Sequence, residues 1–307
     1  EDSMLHISEA SPALHYGQQA FEGLKAYRTK DGSVQLFRPN MNAERLQRTA
    51  DRLLMPQVPT EKFIDAAKQV VRANEEFVPP YGTGATLYLR PLLIGVGDII
   101  GVHPADEYIF TIFAMPVGNY FKGGLVPTNF LIQDEYDRAA PHGTGAAKVG
   151  GNYAASLAAQ VKAHDEGYSQ VLWLDGVERK YIEEVGAMNV MFKIGDEIVT
   201  PMLSGSILPG ITRKSCIEVL KDNGYKVSER LLSIDELEEA MENGKLEEAW
   251  GCGTAAVISP IGELCYKDVK YPINNGQIGE VTQMLYDTLT GIQWGKIEDT
   301  FGWTYKI

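Results

Sequence analysis

One lysine is set apart by its neighbours. In the segment GTGAAKVGGNYAASL, residues 143–157, Lys148 is surrounded by small side chains and lies just before a helix expected to begin at Asn152. A solvated lysine needs no such setting. A lysine that condenses with an aldehyde to form a Schiff base does, because its amine must be neutral and a planar group must approach the backbone. Small neighbours give that access, and a nearby helix N-terminus disfavours the ammonium charge. Tyr153, five residues after Lys148, is placed to hydrogen-bond a phenolic oxygen.

The elements that would position these groups can be read from turn signals and periodicity. Lys30-Asp31-Gly32 between two apolar runs, Ala20 to Tyr27 and Ser33 to Phe37, predicts a hairpin. Asn40 is expected to cap a helix running to about Leu54, with Leu46, Ala50, Leu53 and Leu54 on its apolar side. Thr60 opens a second helix to about Phe77, ended by Pro79-Pro80, and strands follow at 85–94 and 108–114. The uncharged run YIFTIFAMPVGNYF, residues 108–121, reads as a buried strand leading into a loop. The Gly- and Pro-rich stretch beginning at Pro116 reads as a linker. The domain limits this predicts are a small α/β domain over 1–117, a linker over 118–127 and a large domain over 128–307. In the second half, helices are expected at 153–166, 211–222, 234–243 and 278–290, the third opened by a capping box from Ser233 to Glu236. A strand is expected at 170–175 and a hairpin across Gly195-Asp196. Strands and helices are mixed in both halves, so the class is α+β (mixed α/β) with two lobes.

Composition excludes several functions. The chain has 307 residues, and 28 basic against 41 acidic side chains give a net charge of −13. Nucleic-acid phosphates recruit basic surfaces, so no nucleic-acid partner is expected. Small anions remain accessible to a few arginines and backbone amides. No run approaches the roughly 18 apolar residues that cross a bilayer. The opening EDSMLHISEA shows no export signal, and the lack of a Met at position 1 suggests residues upstream. Cys216, Cys252 and Cys265, an odd number without CxxC or zinc spacing, point to a reduced cytoplasmic protein. His6, His15, His103, His142 and His164 show no metal-ligand spacing, and neither GxSxG nor GxxxxGK[ST] occurs. No metal is expected.

A Schiff base of pyridoxal phosphate requires an anion cradle, a carboxylate at the pyridine nitrogen and a partner for the phenolic oxygen. HYGQQAFEGLKAYR, LYLRPLLIG, KVGGNYAASL, EEVGAMN, ILPGITR and GCGTAAV, in this order, resemble the branched-chain amino acid aminotransferases, pyridoxal-phosphate enzymes of fold type IV. The resemblance spans about Leu5 to Ile292 and implies two domains with the active site between them. It implies that Lys148 carries pyridoxal 5'-phosphate as a Schiff base and that Tyr153 meets its phenolic oxygen. The sequence offers Glu183 or Glu184 for the pyridine nitrogen, on opposite sides of a strand, and the family motif selects Glu184. The phosphate would meet the helix-opening amides of Ile211 and Thr212, the glycine-flanked Thr254, and Arg45.

For the substrate, the resemblance implies pocket aromatics at Tyr16 and Phe21, with Tyr88 and Arg90, two apart on a strand, sharing one face. Tyr120 would close the entrance, the amide of Ala255 would help bind the α-carboxylate, and Ala187 would bound the side-chain pocket. Ile100 and Val102 correspond to positions that reach the neighbouring subunit in relatives, which implies a homodimer. The implied reaction moves the amino group of leucine, isoleucine or valine to 2-oxoglutarate. Some relatives carry a Cys-x-x-Cys pair where this chain has Ala256 and Ser259, so no thiol switch is expected there. A D-amino acid aminotransferase or aminodeoxychorismate lyase would share the lysine and glutamate, and a non-catalytic homologue would share the fold. The pocket residues and the intact lysine favour the branched-chain enzyme.

Overall fold

The structure is a computed structural model that describes residues 4–119 and 124–307. The chain divides into two compact units. The first gathers the described chain up to Gly118 with Ala147–Gly151 and Trp303–Ile307. The second gathers the remaining described residues between Asn119 and Gly302. Both mix helices and strands, as the α+β reading anticipates.

The first unit contains α1 (Pro12–Tyr16), β1 (Gln19–Phe21), β2 (Leu24–Arg28), β3 (Val34–Phe37), α2 (Pro39–Arg52), α3 (Thr60–Ala73), β4 (Thr86–Val96) and β5 (Glu107–Val117). Its sheet runs β1-β4-β2-β3 and then the C-terminal strand Thr304–Lys306, with β5 beside β4. The β2–β3 hairpin forms at the predicted turn, where the Asp31 carboxylate accepts hydrogen bonds from Thr29 Oγ1 and the Ser33 amide. One face of the sheet buries Leu24, Ala26, Leu36, Leu87, Leu89 and Leu93 against Leu46 of α2 and Phe63, Ala67 and Val71 of α3. The opposite face is set by register. Lys25 pairs with Tyr88, Tyr88 with Met115 and Arg90 with Phe113, so these side chains share one side.

Two boundaries and the burial of one strand differ from expectation. α2 begins at Pro39, so Asn40 lies in its first turn and does not cap it. The N-cap is Arg38 in a left-handed conformation (φ 48°), whose amide donates to the Trp303 carbonyl at 2.7 Å and whose guanidinium stacks on the Trp303 ring at 4.5 Å. α3 ends at Ala73, where the Asn74 side chain takes the Val70 carbonyl, and a single 3-10 turn follows. β5 is a half-exposed strand whose only sheet neighbour among the described residues is β4, with Phe113 and Met115 exposed. Its uncharged composition had suggested burial.

The second unit contains β6 (Thr128–Gln133), α4 (Gly150–Ala154) from Asn152 onward, α5 (Leu157–Asp165), β7 (Gln170–Leu174), β8 (Ile182–Val185), β9 (Asn189–Ile194), β10 (Glu197–Pro201), α6 (Ile211–Asp222), β11 (Lys226–Arg230), α7 (Ile234–Glu242), β12 (Leu246–Gly253), β13 (Val257–Tyr266), β14 (Val269–Pro272) and α8 (Glu280–Gln293). The C-terminal strand of the first unit is β15 (Thr304–Lys306). The second sheet runs β11-β10-β9-β12-β13-β6-β7-β8, with β14 beside β13. The helix expected over 153–166 is two, because Ser156 Oγ donates to the Tyr153 carbonyl at 2.7 Å and interrupts the ladder. The first opens at Gly150, three residues before the expected start. α8 likewise runs Glu280–Gln293 where 278–290 was expected. No helix among the described residues is long and apolar enough to cross a membrane, and no group of three His, Cys, Asp or Glu among them could hold a metal.

A buried carboxylate starts α8. Glu248 on β12 accepts from the amides of Val281 (3.1 Å) and Thr282 (2.8 Å) and from Thr282 Oγ1 (2.7 Å). Gly279, the N-cap, leaves room for it, since a Cβ there would stand 2.0 Å from the Glu248 carboxyl carbon. Removing this remote cap leaves helix amides without an acceptor. Glu248→Ala should lower the free energy of unfolding by about 2–3 kcal/mol, with Glu248→Gln losing less than half of that. Urea unfolding followed by tryptophan fluorescence measures both.

Lys25 is a second test. Desolvation lowers its pKa from 10.5 to about 8. The folded state therefore disfavours the ammonium, so folding is penalised below about pH 8 and the penalty fades as pH rises toward 10.5. Lys25→Met should stabilise most at pH 7, by at most about 3 kcal/mol, and the gain should shrink between pH 8 and 10. Denaturation midpoints across that range measure it.

Candidate active site

In the first unit, Lys148 lies in irregular chain just before α4, half-buried. Its backbone is fixed on both sides: its amide donates to Thr49 Oγ1 of α2 at 3.0 Å, and its carbonyl accepts from the Phe21 amide of β1 at 3.1 Å. The Lys148 ammonium nitrogen stands 4.7 Å from the centre of the Phe21 ring, and the Arg90 guanidinium stands at the same 4.7 Å from it. Arg90 Nη2 donates to the Tyr88 hydroxyl at 3.0 Å and lies 5.3 Å from that ring. Phe21, Tyr88, Arg90 and Lys148 thus form one contiguous cluster of an amine, a guanidinium and two aromatic walls. Half-buried Lys25 shares the sheet face and escaped the sequence analysis.

Arg45 is buried on α2. Its Nε and Nη2 each lie 2.8 Å from the Glu22 carboxylate, which also accepts from Asn42 Nδ2 at 2.7 Å. Position on an amphipathic helix alone would have made it a solvated charge, and its partner Glu22, within the FEG segment, was not anticipated. Tyr16 closes α1 at 42% exposure, beside His15, whose Nε2 lies 2.7 Å from the Glu9 carbonyl. Ile100 (68% exposed) and Val102 (88% exposed) stand on the β4–β5 loop. Tyr120 lies outside the described residues.

In the second unit, both candidate glutamates are buried on β8, and their partners separate them. Glu183 accepts from Ser206 Oγ, and burial raises its pKa. Glu184, 2% exposed, pairs with Arg138 Nε and accepts from Asn189 Nδ2 at 2.9 Å. Arg138 also donates to the Ser206 carbonyl at 2.8 Å. With Tyr153, Ala187, Asn152, Ser156, Gly186 and Leu208 it lines a small cleft. The sequence analysis missed Arg138, which stands alone among small residues in DRAAP, and Asn189, although the EEVGAMN segment contained it.

Ile211 and Thr212 open the twelve-residue α6, whose N-cap is Gly210 and whose end no side chain caps. Uncapped amides at a helix start attract an anion. Thr254 and Ala255 occupy the turn between β12 and β13, Thr254 half-buried and Ala255 exposed. The turn ends at Val257, a β-branched residue at φ 64°, a conformation that costs about 1–3 kcal/mol and persists where surroundings impose it. Gly251, just before this turn, lies against Met188 from the EEVGAMN segment. The donor set fits a phosphorylated pyridine. An uncapped helix end suits a phosphate, a buried carboxylate with fixed orientation suits a ring N–H, and Tyr153 lines the cleft with the arginine that holds that carboxylate.

The amino-transferase class IV family matches residues 19–264. A branched-chain-amino-acid aminotransferase of Haemophilus influenzae is 53% identical over all of this chain and 89% of its own length. Branched-chain-amino-acid aminotransferase 2 of Bacillus subtilis is 51% identical over 99% of this chain and 83% of its own length. Among solved structures, a branched-chain amino acid aminotransferase of T.th. with pyridoxamine 5'-phosphate aligns with a TM-score of 0.84 at 29% identity, covering 98% of this chain and 93% of that one. The Escherichia coli branched-chain amino acid aminotransferase aligns with a TM-score of 0.79 at 30% identity, covering 98% and 93%. Matched by the family over most of its length and half identical to relatives along nearly all of it, the chain belongs to the class IV aminotransferases, and within them to the branched-chain-amino-acid aminotransferases.

Proposed function

We propose that this chain transfers the amino group of leucine, isoleucine or valine to 2-oxoglutarate, releasing branched 2-oxo acids and L-glutamate, with pyridoxal 5'-phosphate attached to Lys148. Relatives of the same name support the reaction, and the related structure solved with pyridoxamine 5'-phosphate supports the cofactor. The observation that carries the substrate reading is the cluster around Phe21. The transaminase must accept an apolar side chain in one half-reaction and a second carboxylate in the other. Two aromatic walls suit the first, and one guanidinium hydrogen-bonded to a tyrosine hydroxyl suits the second.

When bound, the cofactor supplies an electron sink for charge released at the substrate Cα. The chain's own groups divide the remaining work. Lys148 Nζ, freed when the substrate amine takes its place, would take the Cα proton and return it to the cofactor's C4′ carbon, a transfer commonly contributing about 10²–10⁴-fold. Its fixed backbone anchors the point from which the amine reaches. Glu184 accepts the ring N–H, Tyr153 hydrogen-bonds the phenolic oxygen, and Arg45, Thr254 and the amides of Ile211 and Thr212 hold the phosphate. Tyr16, Phe21, Tyr88, Arg90, Ala187 and the Ala255 amide receive the substrate, and Tyr120 closes the entrance.

In this reading two copies form a homodimer in the cytoplasm, with Ile100 and Val102 reaching the neighbouring pocket. Exposed apolar groups at those positions, and at Leu157 and Val161 one turn apart on α5, support association. Three free, buried cysteines support a reducing compartment.

Amino-donor profiling of the purified, cofactor-loaded protein tests the proposal. With 2-oxoglutarate as acceptor, L-leucine, L-isoleucine and L-valine should each yield glutamate at least about 100-fold more efficiently than D-alanine. Preference for D-alanine, or no glutamate from the branched donors, would overturn it.

A further inference from the structure

We propose that Asn189 is a positioning residue that couples the two ends of the cofactor's grip in the second unit: the carboxylate assigned to the ring nitrogen and the helix end assigned to the phosphate. The inference rests on the cofactor reading above.

The geometry is specific. Asn189 is buried, and its Nδ2 donates both to Glu184 Oε1 at 2.9 Å and to the Leu208 carbonyl at 2.8 Å. Leu208 lies in the loop that delivers α6. Two residues on, Gly210 is the N-cap of that helix, and a Cβ there would stand 1.9 Å from Asn189 Oδ1. Gly210 has an ordinary φ of −72°, so the glycine is required by this close approach and not by backbone conformation. One amide therefore touches the carboxylate through its nitrogen and supports the helix cap against its oxygen. Arg138 repeats the link on the other side, pairing with Glu184 while donating to the Ser206 carbonyl of the same loop. The loop before α6 is thus held at two carbonyls by the two side chains that hold Glu184. A shift at either end is transmitted to the other, because a buried amide cannot exchange its partners for water.

Three variants of the cofactor-loaded protein test this. Asn189→Ala removes the donor. Asn189→Asp keeps the volume and replaces the donor with a carboxylate facing Glu184. Gly210→Ala intrudes at the phosphate end without touching Glu184. Each is read at both ends, through the apparent Kd for pyridoxal 5'-phosphate and the position of the visible absorption band of the bound cofactor. All three should raise the Kd by about 10-fold or more and displace the band. The Asn189→Ala, Gly210→Ala double variant should lose less than the product of the two single effects. A band unmoved in Gly210→Ala, a Kd unchanged in the Asn189 variants, or multiplicative effects in the double variant would overturn the coupling. A wild-type protein that binds no pyridoxal phosphate would instead overturn the cofactor assignment itself.

Discussion

The structure depends on burying carboxylates without leaving them unpaired. An isolated carboxylate removed from water is prohibitively costly, and the cost is offset only when its oxygens meet donors in fixed geometry. The chain meets this demand twice with the same parts. In the first unit Glu22 is held by the guanidinium of Arg45 and the amide of Asn42, and in the second Glu184 is held by Arg138 and Asn189. Each carboxylate sits on or beside a strand and its partners come from other segments, so each pair fixes how a helix or loop lies on its sheet. Removing one partner would leave a buried charge or donor uncompensated, which typically costs more than the pair contributes.

That constraint also orients the candidate chemistry. Glu184 has one oxygen engaged by a guanidinium and the other by an amide, so its carboxyl plane is fixed before any ligand arrives. Lys148 shows the same economy, with a backbone held at both its amide and its carbonyl. Rigid supports suit a reaction in which a proton must be delivered to defined atoms.

The sequence was most informative where local chemistry decides the structure. The Lys30-Asp31-Gly32 turn formed as its residues dictate, α6 spans the expected 211–222, and Ser233 Oγ accepts from the Glu236 amide, the Ser233 half of the expected capping box, while the Glu236 carboxylate pairs with Arg230. It was least informative where distant partners decide. α2 starts at Pro39, after the N-cap Arg38, because Trp303, far along the chain, supplies both a carbonyl and an aromatic surface. Arg45 reads as solvated on its own helix and is buried because Glu22 lies on a neighbouring segment. The choice between Glu183 and Glu184 is open to alternation alone, since both are buried, and their different partners distinguish them. Arg138 carried no local signal, because its role exists only once the loop before α6 comes back to meet it.

The central claim is that the amine of Lys148 carries the cofactor, although Lys25, on the same sheet face as Tyr88 and Arg90, has the depressed pKa of about 8 that such chemistry favours. Borohydride reduction of the pyridoxal-phosphate-loaded protein, followed by proteolysis and mass spectrometry, decides between them. The account predicts a phosphopyridoxyl group on Lys148 alone; the same group on Lys25 or any other lysine, with Lys148 unmodified, would contradict it.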